Sequence, residues 1–180
     1  MGKIAVPLGE GFEEIEAIVI LDMLRRADIN VVAAGLNSKE VTGSHGLVLM
    51  ADTLLSDLPA RGLDGIVLPG GQPGTKNLMK NSLLRDLLIR LDKEDKLVAA
   101  ICAAPMVLHA AGILSGKRVA CYPGCERGME DVSVVEEPVV MDNNLITSRG
   151  IGTALAFALA IIEKLKGKTA AQTIRQAVLA

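Results

Sequence analysis

Short apolar runs alternate with longer segments of helical periodicity along the whole chain. The apolar runs predict strands at 4–8, 29–34, 66–68, 97–101, 118–122, 132–135, 139–141 and 145–147, and a hairpin at 41–50. Helical spacing predicts helices at 13–27, 82–91, 103–111, 152–166 and 169–179. Continuous apolar strands between helices are typical of a parallel sheet covered on both faces. The pattern therefore predicts an α/β protein with a flavodoxin-like three-layer sandwich and a mostly parallel central sheet.

Composition narrows the class of protein. The 180 residues fit one domain, which we expect to span 1–180. Half of the residues are hydrophobic and 22% are charged, which excludes a disordered chain. Only 2% are aromatic and the net charge is −2, so a base-stacking or phosphate-binding surface is not expected. Nucleic acid is therefore an unlikely partner.

The chain lacks the patterns of a membrane or metal protein. Its longest apolar run, 154–162, is far shorter than the ~20 residues that span a bilayer, and the apolar stretch at 4–8 is too short for a signal peptide. We therefore expect a cytoplasmic protein with reduced cysteines and no membrane partner. Three Cys and two His do not form a standard four-ligand zinc set, and Cys121 with Cys125 is only a weak metal signal. No metal or cofactor is expected.

A cysteine stands where a predicted strand meets a predicted helix. Cys102 follows the strand at 97–101, with Ala100 and Ala104 two residues to either side. Small residues at those offsets are typical of a nucleophile elbow, and Pro105 suits the first turn of a helix. A thiol at a helix N-terminus should have a pKa below the ~8.5 of free cysteine. The alternative is a small buried structural thiol.

Neither histidine is placed by its spacing to assist Cys102. His109 lies seven residues later, about 10 Å along the same predicted helix, and is interpreted as a packing or surface residue. No histidine follows it, which excludes a Cys-His-Glu triad with a histidine near the C-terminus. His45 in the hairpin is either a solvated loop residue or part of the site.

An acid and a glycine pair complete the candidate chemistry. Glu16 directly precedes the apolar run 17–21, so its carboxyl should have a raised pKa and could exchange protons with a substrate. The helix dipole alone explains the other acids of that turn, Glu13 and Glu14. The N–H groups of Gly71 and Ala103 could stabilise an oxyanion, although a plain glycine turn is the alternative at 70–71.

Four ordered segments carry a resemblance to a known family. They are Gly11-Phe12-Glu13-Glu14-Ile15-Glu16, Val67-Leu68-Pro69-Gly70-Gly71, Ala99-Ala100-Ile101-Cys102-Ala103-Ala104-Pro105 and Thr147-Ser148-Arg149-Gly150. Together they resemble the ThiJ/PfpI superfamily, most closely its small single-domain branch of the parkinsonism-associated protein deglycase. The resemblance covers nearly the whole chain.

The resemblance implies a homodimer, a reactive cysteine at Cys102, a protonated partner at Glu16 and backbone anion donors at Gly71 and Ala103. The apolar hairpin at 41–50 also favours a dimer.

Three further residues are candidates for the pocket. Many members of the family carry a His-Pro pair where this chain has Tyr122-Pro123, and tyrosine is a poor base at neutral pH. A basic residue of the partner's hairpin often approaches the site, and its position matches His45. Arg149 belongs to the fourth segment.

The resemblance leaves two main functional hypotheses. The first is a cofactor-independent glyoxalase or deglycase, in which Cys102 and Glu16 convert methylglyoxal to lactate or act on glycated proteins. The second is a redox-sensing or chaperone protein in which Cys102 is oxidised to sulfinate. A hydratase or hydrolase of another small electrophile is a third, weaker reading. Cys102-Ala103-Ala104 replaces the Cys-His-Gly of the protease branch, which argues against a protease.

Overall fold

The computed structural model describes residues 2–59 and 61–180 as an α/β sandwich built on a seven-stranded sheet. The strand order is β10-β11-β7-β6-β1-β2-β5, and every neighbouring pair is parallel except β10 with β11. These strands are β1 Lys3–Leu8, β2 Val31–Gly35, β5 Thr53–Leu54, β6 Leu63–Leu68, β7 Leu97–Ile101, β10 Val139–Asp142 and β11 Leu145–Ser148. Two small pairs lie apart from the sheet: β3 Glu40–Thr42 with β4 Val48–Met50, and β8 Arg118–Val119 with β9 Ser133–Val134.

Helices cover both faces of the sheet. They are α1 Glu14–Arg26, α2 Gly74–Met79, α3 Ser82–Lys93, α4 Pro105–Ala110, α5 Ala154–Lys166 and α6 Lys168–Ala177, with short 3-10 turns at Leu55–Asp57 and Ile151–Thr153. One apolar core joins α1, α5 and α6 to the sheet, and a second joins α2, α3 and α4 to its other face. The predicted flavodoxin-like sandwich is therefore confirmed.

Several predicted boundaries are corrected. The helix α2 and the strand β5 were not predicted, because six residues that begin with Gly74 and a two-residue edge strand carry too little apolar periodicity. The strand predicted at 118–122 stops at Val119, since the Ala120 N–H donates to the side-chain hydroxyl of Thr147 rather than to a backbone carbonyl. The strand predicted at 132–135 shortens to Ser133–Val134.

The sheet order brings the candidate segments together. The strands β1, β6, β7 and β11 are adjacent and parallel, so the loops that follow them meet at one edge of the sheet. These loops carry the Gly70-Gly71 pair, Cys102 and Arg149, and the helix that follows the first of them, α1, carries Glu16 in its first turn. Within the described part of the chain, no helix combines the length and the apolar character that a bilayer crossing requires.

Candidate active site

Cys102 occupies a sharp turn between β7 and α4. Its φ of 63° lies in the left-handed region, which a residue with a side chain seldom adopts without a constraint. Two hydrogen bonds supply that constraint. The Cys102 N–H donates to the Ser148 carbonyl at 3.0 Å, and the Tyr122 N–H donates to the Cys102 carbonyl at 2.8 Å. The turn thus has the geometry of the nucleophile elbow expected from the sequence.

Glu16 is fully buried in the first turn of α1. Its Oε2 accepts a hydrogen bond from the Gly70 N–H at 2.8 Å. Its Oε1 has no hydrogen-bond partner of good geometry among the described residues, although the carboxyl interacts with the Cys102 thiol. The Glu16 carboxyl therefore has one oxygen held by the backbone and one that no described donor occupies.

Gly70 permits this close approach, and the sequence analysis did not single it out. A Cβ built on Gly70 would lie 2.8 Å from the Cys102 Cβ and 3.0 Å from Glu16 Oε2. Any side chain there would push the two reactive groups apart. The Gly70-Gly71 pair in the sequence was the available signal for this role.

Burial dominates the electrostatics of the pair. It raises the pKa of Glu16 to about 7, because the charged carboxylate is poorly solvated there. Burial and then the Glu16 charge raise the pKa of Cys102 to about 12, and only the Ala103 N–H acts against them. The expected lowering of the Cys102 pKa is therefore not supported while Glu16 is ionised. The following helix, α4, has only six residues, and its N-terminus does not outweigh burial.

Of the two expected anion donors, Ala103 contacts the sulfur and Gly71 lines the same pocket. The N–H groups of Gly71 and Ala103 donate to no backbone carbonyl in the part of the chain described. The Ala103 N–H interacts with the Cys102 sulfur. Gly71 has a φ of 95°, and a Cβ there would lie 2.3 Å from the Glu13 nitrogen, so only glycine fits. Gly71 lines the same pocket as Cys102, so its N–H and that of Ala103 remain the candidate donors to an anion there.

An open pocket of about 580 Å³ gives access to Cys102. Its wall includes the three further candidates, His45, Tyr122 and Arg149, together with Glu13. The structure thus brings all three to the site within one chain. A larger groove of about 830 Å³ lies between α5 and α6 and contains none of the candidate residues.

The hairpin is tied to α1 through Glu14. One oxygen of Glu14 accepts hydrogen bonds from the His45 N–H at 2.6 Å and the Leu47 N–H at 3.4 Å, and the other pairs with the His45 ring at 2.9 Å. Although burial acts to raise it, these bonds lower the pKa of Glu14 to about 2. The hydrogen bond between the Glu14 carboxylate and the His45 ring raises the pKa of His45. The helix dipole is therefore not the main role of Glu14.

One side-chain group has the spacing of a metal site. Ligand atoms of Glu13, Glu14 and His45 lie within 4.8 Å of one another. Sequence spacing did not indicate this group, because His45 comes about 30 positions after the two acids. Cys121 and Cys125, whose spacing was a weak metal signal, do not belong to any such group within residues 2–59 and 61–180. His109 instead contacts Asp131 at 2.8 Å, outside the pocket wall.

A sequence model of the DJ-1/PfpI family matches residues 2–164. This chain belongs to the DJ-1/PfpI family. The match contains each of the four segments on which the resemblance was based.

Relatives and solved structures agree with this assignment. DJ-1 homolog B of Arabidopsis thaliana is 42% identical over 98% of this chain, but the chain spans only 41% of that protein's length. The crystal structure of Drosophila melanogaster DJ-1beta superposes with a TM-score of 0.96 at 42% identity, and covers 99% of this chain and 98% of that one.

Two family members carry names that state an activity. A glutathione-independent glyoxalase of Caenorhabditis elegans is 38% identical over 88% of this chain and 85% of its own length. A deglycase of Pyrococcus abyssi is 29% identical over 91% of this chain and 99% of its own length.

Proposed function

We propose that this protein is a cofactor-independent cysteine enzyme that acts on reactive dicarbonyls, or on their protein adducts, through Cys102 and Glu16. One observation carries the proposal. A fully buried carboxyl with an unpartnered Oε1 and a pKa of about 7 lies beside a cysteine on a strained elbow, at the base of an open pocket. The names of the C. elegans and P. abyssi relatives support the same class of substrate.

In the first step, the Cys102 sulfur attacks the aldehyde carbon of methylglyoxal. Because the thiol is protonated at neutral pH, the Glu16 carboxylate accepts its proton as the carbon–sulfur bond forms. The carbonyl π electrons move to oxygen, where the Gly71 and Ala103 N–H groups stabilise the negative charge. Glu16 then returns the proton to that oxygen, which gives a hemithioacetal.

In the second step, Glu16 removes the proton from the carbon bonded to sulfur and delivers it to the neighbouring carbon, while the hydroxyl proton of the hemithioacetal moves to the former ketone oxygen. The former aldehyde carbon becomes a thioester carbonyl, and the former ketone becomes a secondary alcohol. Water then attacks the thioester, the carbon–sulfur bond breaks, and lactate leaves while the thiol regains its proton. No external oxidant or reductant is needed. A group with a pKa of about 7 suits both directions of proton transfer.

We also propose that the enzyme is a homodimer that associates through α1 and the β3–β4 hairpin. Five large apolar side chains of this surface are half or more exposed: Ile15, Ile18, Leu47, Val48 and Met50. A cluster of this kind is costly to leave in water, and a second copy would cover it. The partner would then border the pocket beside His45.

Light scattering tests the dimer. We expect Val48→Glu to convert the dimer to a monomer, while Leu83→Glu, a matched change on α3, leaves the mass unchanged. A wild-type mass near 19 kDa at all concentrations would contradict the dimer.

A lactate assay tests the reaction. Purified wild-type protein should convert methylglyoxal to lactate, and Cys102→Ala should abolish turnover. Cys125→Ala is the matched control, because that thiol is partly buried and does not line the pocket. Equal rates for wild type and Cys102→Ala would refute the proposal. The redox-sensor hypothesis uses the same two residues and gains no separate support from this geometry.

A further inference from the structure

Four side-chain atoms that can donate an electron pair converge where the β3–β4 hairpin meets the start of α1. They are Glu13 Oε2, Glu14 Oε2, Ser44 Oγ and His45 Nδ1. The His45 nitrogen lies 2.9 Å from the Glu14 oxygen and 3.6 Å from the Glu13 oxygen. The Ser44 oxygen lies 3.0 Å from that nitrogen, and 3.2 and 3.5 Å from the Glu14 and Glu13 oxygens, respectively.

One of these atoms, Glu13 Oε2, lacks a hydrogen bond of normal length. Glu13 is 6% exposed, and the only donor that approaches this oxygen within the described residues is the Ser44 hydroxyl at 3.5 Å. A normal O–H···O bond is shorter, at about 2.5–3.0 Å. The oxygen therefore belongs to a buried carboxyl group and is directed at the cluster without a close donor.

The charge of the two acids is also poorly balanced. In the part of the chain described, neither Glu13 nor Glu14 pairs with a lysine or an arginine, and the His45 ring is their one basic partner. Charged groups that are buried in folded proteins are usually paired with an opposite charge or coordinate a metal ion. Two buried carboxyl groups that share one exposed imidazole fit the second case.

The spacing of the cluster matches the coordination shell of a small transition-metal ion. A tetrahedral zinc ion binds nitrogen and oxygen at ~2.0–2.2 Å, which places neighbouring ligand atoms about 3.3 Å apart. The separations of 2.9–3.6 Å lie on both sides of that value, so the atoms need to move by only a few tenths of an ångström. An imidazole ligand favours zinc and its neighbours over magnesium and calcium, which prefer all-oxygen sites.

We propose that Glu13, Glu14 and His45 bind a divalent transition-metal ion of the zinc type. The Nδ1 proton of His45 leaves to solvent as the ion binds. The Ser44 hydroxyl, within reach of both carboxylates, orients them toward the ion.

Such an ion would clamp the hairpin to the first helix. Glu13 is the N-cap of α1 and Glu14 its first residue, whereas His45 lies between β3 and β4. Glu13 and His45 also line the pocket of Cys102, so the ion would lie at the pocket wall. The inference goes beyond the proposed function, because the proposed reaction needs no metal.

The first experiment measures zinc affinity in a protein without the reactive thiol. Because zinc also binds thiolates, Cys102→Ala is the parent protein, and zinc chloride is titrated against a chromophoric chelator. We expect one ion per chain. His45→Gln in this parent removes a ligand and should weaken binding at least about tenfold. His109→Gln, at the other histidine of the chain, is the matched control and should change the affinity less than about twofold, because its ring contacts a single carboxylate at 2.8 Å.

Two results of that titration would overturn the site. One is an equal affinity of the parent and its His45→Gln variant. The other is zinc binding by the wild type that Cys102→Ala abolishes, because the ion would then be held by the reactive thiol.

Cobalt chloride tests the type of ligand in the wild-type protein. Cobalt(II) bound by nitrogen and oxygen absorbs in the visible range, whereas a thiolate ligand adds a charge-transfer band in the near ultraviolet. The first equivalent of cobalt should give the visible bands alone. A charge-transfer band at that first equivalent would overturn the assignment to Glu13, Glu14 and His45.

Thermal melts test the clamp. Zinc chloride at about 100 times Kd should raise the Tm of the parent by roughly 5–10 °C, because the site exists only in the folded chain. Glu13→Gln in the parent keeps the shape of the side chain but loses its charge, so the increase should fall by at least about half. An equal increase in Tm for Glu13→Gln, or an equal increase with magnesium chloride, would overturn the proposal.

These measurements do not depend on turnover. A wild-type protein that converts no dicarbonyl would refute the proposed function and leave the zinc titration and the melts to decide on the metal site. If Glu13→Gln failed to fold, His45→Gln would decide by the same melts, since its ring is 71% exposed and its replacement disturbs little of the core.

Discussion

Two carboxyl groups in the first turn of α1 have pKa values that are shifted in opposite directions. Glu14 and Glu16 are 4% and 0% exposed, and they lie two residues apart. The pKa of Glu14 is nevertheless lowered to about 2, whereas that of Glu16 is raised to about 7. Burial acts to raise both values and is deeper around Glu16, so it explains the raised value of Glu16 but not the lowered value of Glu14.

The lowered value of Glu14 follows from the number of donors around its carboxylate. Glu14 accepts two backbone N–H bonds, a bond from the Ser44 hydroxyl and one from the His45 ring. Glu16 accepts a single N–H from Gly70, and its second oxygen has no hydrogen-bond partner among the described residues. A carboxylate surrounded by donors stays ionised and anchors a hairpin, while one with few donors can gain and lose a proton.

Glu16→Gln should have the largest effect, because it keeps the shape of the side chain but cannot shuttle a proton. We expect turnover of methylglyoxal to fall by a factor on the order of 10² or more. The same change removes the negative charge that raises the pKa of Cys102, so that pKa should fall. Thiolate absorbance against pH and lactate formation measure the two effects. A variant as fast as wild type would show that Glu16 does not carry the proton.

The pH dependence of wild-type turnover should report the Glu16 pKa. If its carboxylate accepts the thiol proton, the active fraction of enzyme rises about tenfold between pH 6 and pH 8 for a pKa of about 7. The value of kcat/KM should follow that rise after subtraction of the uncatalysed reaction. The residual activity of Glu16→Gln should lack that inflection near pH 7 and should follow the Cys102 thiolate fraction instead. A flat wild-type profile would count against a titrating Glu16.

Glu14→Gln should instead affect stability more than turnover. Loss of the ionic hydrogen bonds to the hairpin should lower the free energy of unfolding by roughly 1–2 kcal/mol, or Tm by roughly 2–8 °C, with turnover within about threefold. Glu40→Gln, on the exposed β3 strand, is the control. Thermal melts with matched lactate assays distinguish the two positions, and a loss of turnover as large as that of Glu16→Gln would erase the contrast.

The pH dependence of that destabilisation has a definite sign. The lowered pKa of Glu14 contributes stability that is fully present above 4.5 and is lost as the pH falls toward about 2. The difference between wild type and Glu14→Gln should therefore shrink over that window. The raised pKa of His45 adds stability below its ordinary value of 6.5, and this contribution is lost as the pH rises through the folded-state value.

The sequence could reveal Glu16 but not the role of Glu14. An acid directly before a five-residue apolar run predicts a buried carboxyl, and the structure buries Glu16 completely. The partners of Glu14 lie 30 or more residues away, so no local pattern links them to it. Hydrogen bonds between distant parts of the folded chain decide whether the pKa of a buried carboxyl is raised or lowered. The periodicity of the sequence does not reveal these bonds.

The sequence likewise predicts only part of the site around Cys102. Small residues around Cys102 predicted its elbow, and strand alternation predicted the sheet edge that carries it. The gap that admits Glu16 depends on Gly70, whose missing side chain matters only because another segment packs 2.8 Å from its Cβ position. For a similar reason, the sequence did not indicate that the pKa of Cys102 is raised. The burial that raises it is a property of the folded core.

The smallest effect is expected at Cys121 and Cys125, which test whether the chemistry is confined to the Cys102–Glu16 pair. Cys121 is 5% exposed and packs in the core on the face of the sheet opposite to the one that Cys102 contacts. Burial raises the pKa of Cys121 to about 11, so it is a thiol at neutral pH and a slow resolving nucleophile. The double variant Cys121→Ser, Cys125→Ser should therefore retain turnover within about twofold, with a modest loss of Tm from the buried hydroxyl. After treatment with peroxide, non-reducing mass spectrometry of wild type should find Cys102 oxidised without a bond to either thiol.

A Cys102–Cys121 disulfide, or loss of most turnover in a folded double variant, would show that the reactive unit extends beyond the pair. The contrast between Glu14 and Glu16 would then explain only part of how this fold controls its sulfur.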